Sequence, residues 1–360
     1  MSTVSTKNDP TGEGWSIDDA IVRLREWGGD RVYMLPSAGD GLIGTDEGCQ
    51  IRLEDKTERV SRKHARIWRE HERWMIEDAG SRNGLRLDGA RARRGAFVLE
   101  PGIEIGIGGL TLVAESARLI ALRGFLARVL GWTSDQTVVV DHALRSIRMA
   151  ATQRVGLVLS GDAELVAIAH SIHRCALGPD RPFVACDPRR RTSKESVRAV
   201  ENHEQGMLAL EAARGGSLCV WGSRLPRDFS QVLRRLREPD TRVQLVVCSN
   251  KRESGDGFLS TPIDIPAVAR RAGELTRIID EYARDAIAEL GATRAAFTKQ
   301  DHAWVMEHAA TSLGEIEKAT LRLTAIRMYD SVGRAAARLG MAHVSLSRWI
   351  GRRKLPMAVG

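Results

Sequence analysis

Two short polar loops carry the side chains best suited to gripping a ligand: Ser61-Arg62-Lys63-His64 and Ser81-Arg82-Asn83-Gly84. Between them, apolar Ala65, Ile67, Trp74 and Ile76 alternate with charged neighbours. That is the period-2 pattern of two strands in a sheet with one wet face. Strands joined in this way deliver both loops to the same end of the sheet. A hydroxyl, several cationic groups and an amide would then stand side by side. Such a set suits a doubly charged group with several acceptors on a short stalk, and a phosphorylated threonine is one.

A second candidate set lies at the other end of the chain. Ser331 to Leu339 reads as a helix with small residues Ala335, Ala336 and Ala337 on one side, Gly340 can adopt the left-handed turn that stops it, and a second helix is expected over His343–Ile350. Val344 is placed for packing, and Leu346 with Ile350 forms an i,i+4 apolar pair. His343, Ser345, Ser347 and Arg348 remain for an outer face, followed by basic Arg352, Arg353 and Lys354. This is a helix-turn-helix pattern. Arg348 is the best candidate for a base edge, because arginine pairs bidentately with guanine, and the tail suits phosphates.

Other spacings that suggest chemistry have plainer explanations. His170, His173 and Cys175 share a helix but lack a fourth metal ligand. Cys186-Asp187 with His203 has no evident oxyanion-binding element to make a nucleophilic site. The run Gly106-Ile107-Gly108-Gly109 is followed by strand-like Leu110–Val113, so it reads as a turn and not a nucleotide loop. No catalytic residue, metal or cofactor is assigned, and the chain is not expected to be an enzyme.

The elements that must position these groups follow from the rest of the chain. At 360 residues, two or three domains are expected. With 43% hydrophobic and 28% charged residues the composition is that of a soluble protein with a sizeable core, and a net charge of +8 fits a nucleic-acid partner. The five cysteines are widely spaced with no CxxC, which points to a reducing cytoplasm rather than a disulfide frame. No apolar run approaches the ~18 residues of a membrane helix, and the polar first residues lack the core of a signal peptide. Residues 1–14 read as disordered, and a short helix is expected over Asp18–Trp27 ahead of a first strand at Arg31–Leu35. Ser116–Trp132 reads as an amphipathic linker helix. From Val138, short apolar runs at Val155–Leu159, Phe183–Cys186, Ser217–Trp221 and Val243–Cys248 alternate with helical stretches, the signature of a buried parallel sheet. Arg271–Leu290 reads as a long amphipathic helix, and the chain is helical from there to its end.

Three segments resemble known families. From about Arg31 to Ser116, the boxes LIGTDEGCQIRLED, VSRKHA, EDAGSRNG and FVLEPGIEIGIGGLTL resemble the forkhead-associated (FHA) domain, a β-sandwich that binds phosphothreonine peptides. The resemblance implies phosphate contacts from Ser61 and Arg62, a loop brace at His64 and a bond from Asn83 to the ligand backbone. Gly44 and Gly84 would be structural. Thr45 stands where the family usually has an arginine that binds phosphate, and Arg62, Lys63 or Arg82 could supply the missing charge. Across about Val138–Ala325, GLVLSGD, RPFVACD, LEAARGGSLCV and RVQLVVCSN resemble the AAA+ ATPase domain of sigma-54-dependent transcription activators.

The chemistry of that ATPase family is not matched. The turn Ser160-Gly161-Asp162-Ala163-Glu164-Leu165 has one glycine, no lysine and two acids where a phosphate loop needs glycines, Lys and Ser/Thr. Val220-Trp221-Gly222-Ser223-Arg224 replaces the Asp-Glu pair that would hold magnesium. The sigma-contacting loop is absent from Val197–Gln205, and Leu313-Gly314-Glu315-Ile316 lacks the lid arginine. Finally, AAARLGMAHVSLSRWIGRRKL resembles the Fis-type helix-turn-helix of the same activators, which implies DNA binding as a dimer.

The expected architecture is therefore multidomain: a tail (1–14), an all-β FHA sandwich (15–116), a linker helix (117–137), a degenerate α/β AAA+-like domain with a helical lid (138–315) and an all-α helix-turn-helix domain (316–360). The expected partners are double-stranded DNA, a phosphothreonine-containing protein and a second copy of the chain, in the cytoplasm and away from membranes. Two rival readings are an ATP-driven sigma-54 activator and a phosphoprotein scaffold without DNA readout.

Overall fold

The computed structural model describes residues 20–153, 155–161, 164–190, 200–238, 240–249, 261–293, 296–353 and 355. The tail over 1–14, Asp162, Ala163, residues 197–199, Asn250 and Lys354 lie outside them. The chain forms two units. The first runs to Ala127 and adds Thr133–Val155 and Ile172–Arg181; the second comprises Arg128–Trp132, Gly156–Ser171 and the chain from Pro182 onward.

In the first unit, strands β1 (Ile21–Glu26), β2 (Val32–Met34), β3 (Asp40–Gly44), β4 (Ile51–Arg52), β5 (Ala65–Glu70), β6 (Arg73–Asp78), β7 (Leu85–Leu87), β8 (Ala90–Arg91), β9 (Phe97–Val98), β10 (Glu104–Ile107) and β11 (Leu110–Ser116) build two sheets. Their orders are β2-β1-β11-β10-β7-β8 and β4-β3-β5-β6-β9. The sheets share one core: Leu24, Ile105, Ile107 and Leu112 from the first meet Ile43, Ile67 and Ile76 from the second, all with no exposed surface. Alternation along the strands makes this sandwich, since every second side chain turns inward. The β5–β6 hairpin closes on His71 and Glu72, whose φ values of 45° and 67° are those of a tight two-residue turn. Because that turn occupies one end, the loops before β5 and after β6 emerge together at the other.

The helix expected over Asp18–Trp27 is instead a strand in its described part. β1 pairs antiparallel with β11, Leu24 opposite Ala114 and Arg25 opposite Val113. The local pattern lost to a tertiary one, since Ile21 and Leu24 fill the core and Arg25 is fixed by partners distant in sequence. The Arg25 guanidinium is fully buried, donating from Nε to Glu115 at 2.6 Å and from Nη2 to Asp141 at 2.6 Å. Its Nη1 also reaches the carbonyls of Glu26 and Gly29. Asp141 belongs to α2 (Ser134–Gln153), which follows α1 (Ala117–Leu130). The Ser116 hydroxyl accepts the Leu119 N–H at 3.2 Å and so starts α1. Two arginines of α2 pair with the sandwich: Arg145 with Glu104 of β10, and Arg148 with Asp88, in the turn between β7 and β8, at 2.6 Å. Helix α2 thus spans the expected boundary near Val138 and is part of the first unit.

The second unit is built on a parallel sheet of order β14-β13-β15-β16-β12-β17, made of β12 (Leu157–Gly161), β13 (Phe183–Cys186), β14 (Glu201–His203), β15 (Ser217–Trp221), β16 (Gln244–Ser249) and β17 (Ile263–Ile265). Its core joins Val184, Leu218, Val220, Leu245 and Val247 to Ala209 and Leu210 of α4 (Gly206–Ala212) and Val232 of α5 (Phe229–Leu236). Helix α3 (Leu165–Leu177) follows β12. The long helix expected from Arg271 starts later, as α6 (Leu275–Leu290), after a 3-10 segment Val268–Glu274. Arg271 has non-helical φ and ψ of −123° and 31°, and its Nη1 donates to the carbonyls of Arg128 and Val129, both at 2.7 Å. Serving those two carbonyls holds it out of the helix.

Helices α7 (Lys299–His308), α8 (Leu313–Met328), α9 (Val332–Arg338) and α10 (His343–Arg353) complete the unit. Gly340, at φ 64°, ends α9. Among the described residues, no helix is long and apolar enough to cross a membrane.

Candidate functional site

The two polar loops are laced together by hydrogen bonds. Ser61 Oγ accepts the Arg82 N–H at 3.0 Å, and Asn83 Nδ2 donates to the Arg59 carbonyl at 2.7 Å. His64 lies beneath them with no exposed surface. Its Nδ1 accepts the Ser61 N–H at 3.0 Å, which leaves Nε2–H to donate to the Gly84 carbonyl at 3.2 Å. One imidazole therefore fixes both loops, and each ring nitrogen has a distinct role. With its amide nitrogen engaged, Asn83 can still accept a hydrogen bond through its carbonyl oxygen.

The rest of the frame comes from carboxylates and glycines. Asp78 accepts the N–H groups of Gly80 and Ser81 and the Ser81 hydroxyl, while Ser81 Oγ accepts the Gly84 N–H at 2.8 Å. Asp55 accepts from the Thr57 hydroxyl and from the N–H groups of Thr57, Arg59 and Val60, shaping the approach to Ser61. Partial desolvation pushes the Asp55 carboxyl up, but those donors outweigh it and bring it down to about 2. Asp78 is lowered in the same way, its burial outweighed by the Ser81 hydroxyl and backbone donors. Gly44 is needed for close approach, since a Cβ there would stand 2.0 Å from the Arg62 carbonyl oxygen. Gly84 takes φ 71°, a conformation that L side chains rarely adopt.

On this frame, Arg62, Lys63, Arg82 and Asn83 are exposed, Ser61 and Thr45 are half-buried, and the Thr45 N–H donates to the Ser61 carbonyl at 3.3 Å. Ser61, Thr45, Arg82 and Asn83 are brought together by backbone and side-chain bonds, and Arg62 and Lys63 sit on the same loop. The sequence reading missed Arg91. Its Nε lies 3.6 Å from the point where a Cβ on Gly84 would stand. It reaches that point because β8 folds back on β7, with Arg91 opposite Arg86.

The parallel-sheet unit presents a different arrangement. At the carboxyl ends of its strands, Arg224 Nη1 donates to Asp187 at 3.2 Å. Glu164 accepts from Lys318 at 2.8 Å, and its carboxylate lies against Gly314, whose Cβ, if present, would stand 1.9 Å from it. The Cys186 thiol is raised to about 11, first by burial and then by Asp228 and Asp187, so it is protonated at neutral pH. In the Ile172–Arg181 segment of the first unit, His173 bonds the Arg181 carbonyl at 3.0 Å, and burial lowers its pKa; in the second unit, His170 packs on Phe183 with ring centroids 4.8 Å apart.

In α10, Leu346 and Trp349 are buried, and Trp349 meets Trp304 edge-on at 5.7 Å. His343, Ser345, Arg348 and Arg352 are exposed, and Ser347 is half-buried. The side chain of Arg353, like the whole of Lys354, lies outside the described residues. Val344, expected to pack, is 55% exposed. The reason is helical phase: Leu346 and Trp349 define the inner face, and Val344 falls opposite it, beside Ser345 and Arg348.

A family model described as the FHA domain matches residues 41–108. Among solved structures, one from a study of phosphothreonine-dependent FHA domain interactions is 28% identical, covering 26% of this chain and 95% of that one, with a TM-score of 0.24. Mycobacterium tuberculosis EmbR in complex with a low-affinity phosphopeptide is 29% identical over 27% of this chain and 24% of its own, with a TM-score of 0.25. The FHA domain of CT664 from Chlamydia trachomatis is 24% identical over 26% of this chain and 95% of its own, at 0.24. No curated protein sequence matches the chain. Each likeness is confined to about a quarter of the protein. Residues 41–108 are an FHA domain.

Proposed function

We propose that this protein is a DNA-binding transcription regulator that reads phosphothreonine through its FHA domain. In this reading its parallel-sheet unit is an AAA+-like scaffold without ATP chemistry. The observation that carries the first half is the pair of cross-bonded loops: Ser61, His64, Arg82 and Asn83 are held in one constellation, with exposed Arg62 and Lys63 on its edge. A phosphate dianion offers acceptors to the Ser61 hydroxyl and the cationic side chains there, and charge-assisted bonds of this kind are the strong ones. Thr45 brings no charge, so Arg62, Lys63 or Arg82 supplies it.

The scaffold reading is supported by the ends of the parallel strands. An ion pair, Arg224 with Asp187, and a carboxylate, Glu164, stand where a nucleotide's phosphates and magnesium would require a lysine and an acid pair. The DNA reading is supported by the outer face of α10, where Ser345 and Arg348 are exposed over a core of Leu346 and Trp349. Two copies of the chain would set two such helices on half-sites roughly 34 Å apart.

The test of the phosphothreonine reading is a fluorescence-anisotropy titration of the full chain with a labelled phosphothreonine peptide and its unphosphorylated counterpart. Saturable binding of the phosphopeptide alone is expected. Ser61→Ala should weaken it by about 10- to 100-fold, the range set by losing one hydrogen bond to a charged group, and Asn83→Ala by about 2- to 10-fold, the range for a neutral one. Equal affinity for the two peptides overturns the reading.

A further inference from the structure

Several arginines of the first unit already have acidic partners: Arg23, Arg25, Arg31, Arg52, Arg66, Arg69, Arg123, Arg145 and Arg148 all pair with carboxylates. Arg91, Arg93 and Arg94 are exposed, and among the described residues none of them has a carboxylate within ion-pair distance. Their place in the fold is specific. β7 begins directly after the Asn83–Gly84 end of the site, and β8 runs antiparallel to it, Leu87 opposite Ala90 and Arg86 opposite Arg91. The Ala92 N–H donates to the Leu85 carbonyl at 2.9 Å, so the pairing continues toward the site. Arg93 and Arg94 follow directly after that bond, where the chain leaves β8. Arg91 already reaches Gly84 with its guanidinium.

The opposite edge has the other sign. The Asp46 N–H donates to the Arg62 carbonyl at 3.1 Å, and Glu47 follows it, exposed. The rim of the site is therefore polar in charge, with Asp46 and Glu47, the latter paired with Arg52 at 3.8 Å, following Thr45, and with Arg91 beside Gly84 and exposed Arg93 and Arg94 just beyond it.

We propose that Arg91, Arg93 and Arg94 form a selectivity subsite for an acidic flank, so that the preferred ligand is a phosphothreonine peptide with aspartate or glutamate on the side that passes Asn83. The inference rests on the phosphothreonine reading of the same site. The phosphate fixes the peptide on the two loops, and the arginine trio takes a carboxylate a few residues away. Each such pair is solvent-exposed, so its contribution is modest and screened by salt, and the three together act as a field.

The test uses the full chain and three labelled phosphothreonine peptides: one flanked by alanine, one with aspartates before the phosphothreonine and one with aspartates after it. One of the two acidic peptides should bind about five- to tenfold more tightly than the alanine-flanked one, the sum expected of a few exposed ion pairs, and the gain should shrink as salt rises. The triple variant Arg91→Gln, Arg93→Gln, Arg94→Gln should erase that gain, binding the acidic and the alanine-flanked peptides equally. Saturable binding of the alanine-flanked peptide also shows that the variant is folded. Equal binding of all three peptides by the wild type, or a preference that survives the triple variant, overturns the inference while the phosphothreonine reading stands. Absence of binding to every phosphopeptide overturns both. Loss of affinity for duplex DNA in the triple variant, with peptide preference intact, assigns the trio to nucleic acid and also overturns the inference.

Discussion

A methyl group on Gly44 would be placed 2.0 Å from the Arg62 carbonyl oxygen and 2.9 Å from that of Ser61, and both obstacles are backbone. No rotamer change can relieve such a contact, so the loop carrying Ser61 would have to move. Gly44→Ala should therefore cost about 1–3 kcal/mol of stability, the usual price of overpacking, with a parallel loss of phosphopeptide capture. Urea denaturation and the anisotropy titration read the two effects. A variant with wild-type stability and capture would show that the loop yields freely. At this scale much of the site was legible in the sequence. Ser61, His64, Arg82 and Asn83 lie in two short strings, and a two-strand spacing was enough to bring the strings together. Arg91 and Asp55 were not legible. Arg91 reaches Gly84 only through the β7–β8 pairing, and Asp55 works by accepting backbone N–H groups from residues that carry no signal of their own.

Elements show the same division between local pattern and distant partner. β1 was misread as a helix because its charged and apolar residues do not alternate cleanly, and its burial runs B-e-i-B-B-i along the strand. What makes it a strand is pairing with β11, ninety residues later, and the burial of Arg25 between Glu115 and Asp141. Although desolvation pulls the Arg25 pKa down, the bonds and charges of those two carboxylates outweigh it and raise it overall. Arg25→Ala would leave buried Glu115 with Arg23 alone, at 2.7 Å, and buried Asp141 with Arg123 alone, at 3.8 Å, and removing one partner of a buried pair costs up to roughly 3–5 kcal/mol. Thermal unfolding should show the loss, and a change below about 1 kcal/mol would mean that water replaces the guanidinium without penalty. In α10 the opposite happened: the helix was read correctly, but its phase was set by Trp349 as well as Leu346, and that left Val344 outside. A helix boundary can be read from caps and turns, whereas its facing depends on which large side chain finds a partner, here Trp304.

At the scale of the whole chain, the sequence indicated an all-β part, a parallel α/β part and a helical end, and each is present among the described residues. The DNA reading is tested on the full protein. Arg348→Ala should relax preference for the target over random duplex by about 1–3 kcal/mol, the value of one bidentate base contact. Total affinity should still fall steeply with salt, through phosphate contacts. Electrophoretic shift titrations at several salt concentrations separate these effects, and a wild type that never distinguishes its target from random competitor removes DNA readout from the function. The salt bridge at Arg25 has one more consequence. Although the β-sandwich ends at Ser116, its innermost cation is neutralised in part by Asp141 on α2. A gene rearrangement that copied only the strands would transplant an arginine deprived of half its counter-charge. The portable cassette, the length of coding sequence that could be inherited by another protein and still fold, therefore extends through α2 to Gln153.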